Sequence, residues 1–216
     1  MVKVKICGIT RPEDGEMVSS LGADMVGVIL VKGSRRCVSL ERAGEIFKRV
    51  GENSMKVAVL MPENPSELEF VEKKLRPDYI QLHPSIPLEK IEVVKKSLSA
   101  GLIMVVPIPP ENPDEAAIFG LARDAAEIGD FVLLDTKGPE GGGTGKMHDW
   151  SISRKICASI KKPAFLAGGL NPMNLRRAIE AVRPHGVDVA TGVEKEVGIK
   201  DPDLVKEFIR IARESG

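Results

Sequence analysis

The chain has 216 residues, 43% hydrophobic and 29% charged, and its 31 basic residues are matched by 31 acidic ones. A net charge of zero argues against a strongly basic nucleic-acid binder. The three cysteines, Cys7, Cys37 and Cys157, have neither zinc-site nor disulfide spacing, no apolar run approaches the roughly 20 residues of a membrane helix, and no signal-peptide pattern is visible, so a soluble cytoplasmic protein is expected.

Taken in order, Val2 to Cys7 alternates apolar residues with lysine, a strand pattern, and a helix follows from Glu13 to Leu21, closed by Gly22. Ala23–Val31, Met55–Met61, Tyr79–His83 and Leu102–Ile108 read as further strands. Between and after them, helical patterns cover Leu40–Val50, Asn64–Leu75, Leu88–Leu98 and Pro113–Ile128. The last three strands are Phe131–Asp135, Ala164–Ala167 and Val187–Thr191, with helices over Asp149–Ile160, from Asn171-Pro172 to Val182, and from Asp201-Pro202 to Ala212. Strict alternation implies a parallel sheet. Eight units without a linker suit a single-domain α/β (β/α)8 TIM barrel over residues 1–216, an open flavodoxin-like or Rossmann sheet being the alternative.

The glycine-rich run Gly141-Gly142-Gly143-Thr144-Gly145-Lys146 fits no nucleotide-loop motif. A Walker A loop would need glycine at Glu140 and a hydroxyl at Met147, and a dinucleotide fingerprint would need glycine at Lys146. Glycine turns nevertheless follow three successive strands: Gly142, Gly143 and Gly145, then Gly168 and Gly169, then Gly192. At the C-terminal face of a barrel such loops bind phosphate through backbone N–H groups; the plainer reading is that they merely end strands.

Strand ends also supply reactive groups. Cys7 could take a proton and Asp135 give one, although a buried cysteine is often a small hydrophobe and a strand-end Asp often a cap. Arg35-Arg36 could hold a carboxylate bidentately or be solvated. Gln81 and His83 share a strand face and could line a cavity, His83 also fitting a structural role. Asp188 inside a strand needs a partner, which the sequence does not identify. Cys37, Cys157, His148 and His185 read as structural, and Trp150 as packing for the sixth helix.

The chain resembles the phosphoribosylanthranilate isomerase family of tryptophan biosynthesis. The resemblance rests on Lys5-Ile6-Cys7-Gly8-Ile9-Thr10, Gly22-Ala23-Asp24, Arg36 with Val38-Ser39, Gln81-Leu82-His83 and Leu133-Leu134-Asp135. It continues through Gly142-Gly143-Thr144-Gly145, Gly168-Gly169-Leu170-Asn171-Pro172, Val187-Asp188-Val189 and Gly192-Val193-Glu194. It implies a small (β/α)8 barrel performing an Amadori rearrangement with no metal or cofactor. Cys7 matches the general base, Asp135 the general acid, Arg36 the residue facing the anthranilate carboxylate, and the glycine turns the phosphate site. Pro84, Cys37 and Thr191 depart from the family pattern near the aglycone pocket. The implied partner is a small phosphorylated substrate, not nucleic acid or a membrane, and monomer and homodimer both remain open. Rival readings are another phosphate-binding barrel, such as a histidine-pathway sugar isomerase or indole-glycerol phosphate synthase, and a non-catalytic phosphate binder.

Overall fold

The computed structural model describes residues 1–138 and 147–215. The first half runs β1 (Lys3–Ile6), α1 (Pro12–Ser20), β2 (Met25–Ile29), α2 (Leu40–Arg49), β3 (Met55–Leu60), α3 (Ser66–Leu75), β4 (Tyr79–Leu82) and α4 (Leu88–Lys95). The second runs β5 (Gly101–Ile108), α5 (Glu115–Ile128), β6 (Phe131–Thr136), α6 (Trp150–Ser159), β7 (Ala164–Leu166), α7 (Leu175–Val182), β8 (Gly186–Val189) and, after a short hairpin, α8 (Pro202–Glu214). Each strand pairs in parallel with its predecessor, and β8 pairs back onto β1, so the sheet closes into a barrel.

Local chemistry sets the helix starts. Ser39, Asp114, Asp149 and Asp201 each accept a backbone N–H from the first turn of α2, α5, α6 and α8, a cap that contributes about 1 kcal/mol apiece. Pro12 and Pro202 open α1 and α8, where proline's missing N–H costs nothing.

The period-two alternation of the strands sorts residues between two interiors. Val4, Ile6, Val26, Val28 and Val187 pack with Val18, Ile46 and Phe208 of the surrounding helices. Leu102, Val106, Val132 and Leu134 do the same with Ile118, Ala122 and Ile152. The other strand face meets on the barrel axis. There Met25, Val57, Ile103, Leu133 and Phe165 form an apolar plug with Tyr79 and Phe131; the Phe131 ring meets those of Tyr79 and Phe165 edge-on at centroid distances of 5.3 and 5.4 Å. Burying a side chain such as Phe165 stabilises the fold by about 2–3 kcal/mol. The plug fills the N-terminal end of the axis and leaves inward positions near the strand C-termini to Lys5, Cys7, Gln81, Asp135 and Asp188.

Three details depart from the sequence reading. Asn171-Pro172 forms a turn rather than the first turn of α7, because Asn171 Oδ1 accepts the N–H groups of Met173 and Asn174 at 2.9 and 3.3 Å. After β8 a 3-10 turn over Thr191–Val193 leads into an antiparallel hairpin, β9 (Glu194–Glu196) and β10 (Ile199–Lys200). Its strands are short and charged, so they carry no hydrophobic period; Gly198, at φ 80°, makes its turn. Cys37, read as structural, is exposed.

Candidate active site

The strand C-termini enclose a cavity of about 300 Å³ lined by Cys7, Arg36, Gln81, His83, Asp135 and Asp188, together with Gly168, Gly169 and Gly192. Of the candidates within the described part of the chain, all but Arg35 line this one cavity, so Arg36 is the arginine of the pair that reaches it. Gly142, Gly143 and Gly145 lie outside the described residues.

Cys7 follows β1 and is held by its N–H, which donates to Val189 O of β8 at 2.8 Å. Gly8 then turns at φ 71°, and a Cβ there would lie 2.6 Å from Arg36 Cδ, so glycine lets the arginine stem pass beside the cysteine. Asp135 sits near the end of β6 in register with Pro107 of β5.

The sequence reading left Asp188 without a partner; the structure supplies one. Lys5 Nζ donates to Asp188 Oδ1 at 2.8 Å, and the two residues are register partners across β1 and β8. Lys5 is 1% exposed. Asp188 and the Cys7 thiol hold its ammonium charged despite burial, with a pKa raised to about 12. The parity of Lys3, Lys5 and Cys7 is the signal that could have placed Lys5 inside the barrel with the cysteine.

Burial sets the titration of the reactive groups. It pushes the half-buried Asp135 carboxyl up to about 7, and the negative charge of Asp188 adds to that. Burial also raises the Cys7 thiol above its ordinary value, against the opposing pull of Lys5. The positive field expected for a thiolate is present, but desolvation outweighs it. His83 is buried enough to be pushed down to about 4, with Lys5 contributing, and is neutral at pH 7. Gln81 is buried, and its Oε1 has no hydrogen-bond partner among the described residues; it is left for a donor in the cavity.

Arg36 is committed on two of its nitrogens. Nε and Nη2 grip Glu194 at 2.8 and 2.6 Å, and Nη2 also donates to Thr191 Oγ1 at 3.1 Å. Glu194 Oε1 accepts from Lys200 Nζ at 2.9 Å as well, and Lys200 Nζ reaches Ala190 O. The hairpin unforeseen from sequence thus anchors Arg36 and leaves Nη1 outside these bonds.

The glycine loops lean on one another. Gly168 and Gly169 have φ of 86° and 68°. A side chain on Gly168 would collide with Thr136, and one on Gly192 with the Leu170 carbonyl. Thr136 in turn belongs to a buried chain. Its Oγ1 lies 2.8 Å from His148 Nδ1, and His148 Nε2 lies 2.6 Å from Ser153 Oγ. His148, held neutral by burial with a pKa of about 4, thereby ties the end of β6 to α6.

A family model described as N-(5'-phosphoribosyl)anthranilate (PRA) isomerase matches residues 4–211. The chain belongs to the PRA isomerase family. It is an isomerase, and it is 42% identical to N-(5'-phosphoribosyl)anthranilate isomerase of Aquifex aeolicus over 97% of this chain and 98% of that one. The crystal structure of phosphoribosyl anthranilate isomerase from Thermotoga maritima superposes with a TM-score of 0.87 at 36% identity, covering 99% of this chain and all 100% of that one. A PRA isomerase crystallised with reduced 1-(o-carboxyphenylamino)-1-deoxyribulose 5-phosphate superposes at 0.84, with 33% identity and coverage of 99% and 100%. Lys5, Glu194 and Lys200 are the residues around the cavity that the sequence reading did not single out.

Proposed function

We propose that this chain converts N-(5'-phosphoribosyl)anthranilate to 1-(2-carboxyphenylamino)-1-deoxyribulose 5-phosphate, with Asp135 as general acid and Cys7 as general base. The observation that carries the reading is one cavity holding a carboxyl whose pKa is raised to about 7 and a thiol with a lysine behind it. A carboxylic acid that stays protonated near neutral pH is what ring opening requires.

Protonated Asp135 gives its proton to the ribose ring oxygen as the C1′–O bond breaks, and the anthranilate nitrogen takes up the double bond as an iminium. Cys7, as thiolate, removes the C2′ proton, and the C–H electron pair neutralises the iminium, giving an enolamine. The enolamine loses its enol proton and gains one at C1′, which yields the ketone. The iminium acidifies the C–H bond, so the step needs no group beyond these two.

The remaining groups fit the rest of the substrate. Arg36 Nη1 suits the anthranilate carboxylate, and Gln81 Oε1 with neutral His83 suits ribose hydroxyls. The loops at Gly168, Gly169 and Gly192 suit the terminal phosphate, with Gly142, Gly143 and Gly145 completing it in the same reading. Among the described residues no helix is long and apolar enough to cross a membrane. A cytoplasmic, one-domain enzyme acting on a free phosphorylated metabolite is part of the proposal.

Adding phosphoribosylanthranilate to the purified chain and following anthranilate-type fluorescence tests it. A rapid, enzyme-dependent change is expected. Saturable binding with no change over hours would leave only a phosphate-ligand binder.

A further inference from the structure

Resting on the acid and base assigned above, the chemistry leaves the site in the wrong protonation state. One turnover ends with Asp135 ionised and Cys7 protonated, whereas the next begins with Asp135 protonated and Cys7 as thiolate. The two forms have the same charge and differ only in where one proton lies. Burial raises both groups, which favours the required carboxylic acid at Asp135 but the wrong, protonated form at Cys7. Something must bias that proton toward the carboxylate.

The groups around the pair come from several elements. Lys5 of β1 and Asp188 of β8 form a salt bridge at 2.8 Å with side chains 1% and 10% exposed. Lys200 of the hairpin and Arg36 from the loop after β2 also act on Cys7, but Glu194 pairs with both of them. His83 is neutral. Among the described residues, Lys5 and Asp188 are the one charged pair acting on both reactive groups, and strand order sets them in opposite senses: Lys5 shares β1 with Cys7, whereas Asp188 on β8 is one strand closer to β6 and Asp135. Lys5 lies on the inward face of β1, two residues before Cys7, and acts on the thiol more strongly than Asp188 does. Asp188 acts on Asp135 more strongly than Lys5 does.

We propose that the Lys5–Asp188 pair is a positioning device for a proton: its cation stands on the strand of Cys7 and its anion on the β8 side nearer Asp135, so the oriented pair lowers the cost of returning the shared proton from sulfur to carboxylate between turnovers. Cys7–SH and Asp135–COO⁻ become Cys7–S⁻ and Asp135–COOH, with no other reactant consumed. A buried ion pair of this kind is a poor stabiliser compared with apolar packing, which fits a functional rather than a structural reason for placing it on the axis.

The test removes the whole pair, so that neither charge is stranded. In a chain carrying Cys37→Ala and Cys157→Ala, Cys7 is the sole thiol, and its ionisation is followed by the ultraviolet absorbance of the thiolate. Asp135 is followed by its carboxyl-carbon NMR shift, assigned with Asp135→Asn. Lys5→Met/Asp188→Asn is expected to raise the Cys7 pKa and lower that of Asp135, each by about one unit, a tenfold change in each ionisation. The pH optimum of kcat/KM should broaden and fall in height with them, and circular dichroism should show the fold retained. Lys5→Met alone should move Cys7 further than Asp135. Unmoved values, or a shift of both groups in the same direction in the double variant, would overturn the proposal. These titrations need no turnover, so they stand apart from failure of the acid–base assignment itself, which loss-free Cys7→Ser and Asp135→Asn variants would reveal.

Discussion

Arg36 and Glu194 meet in a two-pronged ion pair, Nε to Oε1 at 2.8 Å and Nη2 to Oε2 at 2.6 Å, and 158 residues of chain separate them. Glu194 also holds Lys200, so one carboxylate satisfies two buried cations. Removing it strands both. Glu194→Gln is expected to cost about 3–5 kcal/mol of unfolding free energy, and Arg36→Met less, because Glu194 keeps Lys200. Urea unfolding of the two variants checks the order; equal losses would show that the pair is not shared in this way. Glu194→Gln should also raise KM, since the Arg36 guanidinium loses its orientation.

Asp135 carries a stability cost along with its proposed role. Its folded pKa, raised to about 7, lies above the ordinary carboxylate value, so the folded state binds the proton more tightly than the unfolded chain does. The favourable contribution of that proton is present at acid pH and is lost as pH rises through 7. Asp135→Asn should therefore stabilise the protein above pH 7, on the order of 2 kcal/mol. Urea midpoints of the two proteins at alkaline pH would show it, and a lower midpoint for the variant would contradict the burial reading.

His148 works with the opposite sign. Its folded pKa of about 4 lies below the ordinary imidazole value of 6.5, so between those values the unfolded chain binds a proton that the folded one refuses. Stability is lost as pH falls through that window, by up to about 3 kcal/mol for this group. His83 and His185 are shifted the same way, while Asp135 opposes them. His148→Gln should flatten the loss between pH 6.5 and 4 measured by urea midpoints. An unchanged slope would mean that His148 is not buried in its neutral form.

Gly192 faces the Leu170 carbonyl so closely that a methyl group has no room. Gly192→Ala is expected to destabilise by about 1–3 kcal/mol and to weaken inorganic phosphate binding, because the loops after β7 and β8 must separate. Calorimetric titration with phosphate reads the second effect. Unaltered phosphate affinity would detach this loop from the phosphate site.

The barrel was legible in the sequence because its signals are local and periodic. Gly22, Pro12 and Ser39 mark helix limits, and short apolar runs mark strands buried on both faces. Cys7, Asp135, Gln81 and His83 were legible as strand-end residues, where barrel side chains converge. The partner of Asp188 was not, because Lys5 lies 183 positions away and meets it only when β8 closes on β1. The Glu194–Lys200 anchor was hidden for a different reason. Its hairpin has a charged sequence, Glu194-Lys195-Glu196, with no alternation to reveal it. Asn171-Pro172 misled because asparagine before proline can cap a helix or build a turn, and only the two N–H groups that Asn171 receives decide between them.

The division of labour between Cys7 and Asp135 is tested most directly by steady-state turnover of phosphoribosylanthranilate in Cys7→Ser and Asp135→Asn, beside inorganic phosphate binding to each. Each variant should lose about a hundredfold or more in kcat, with phosphate affinity kept. Near-normal turnover in both variants would contradict the assignment.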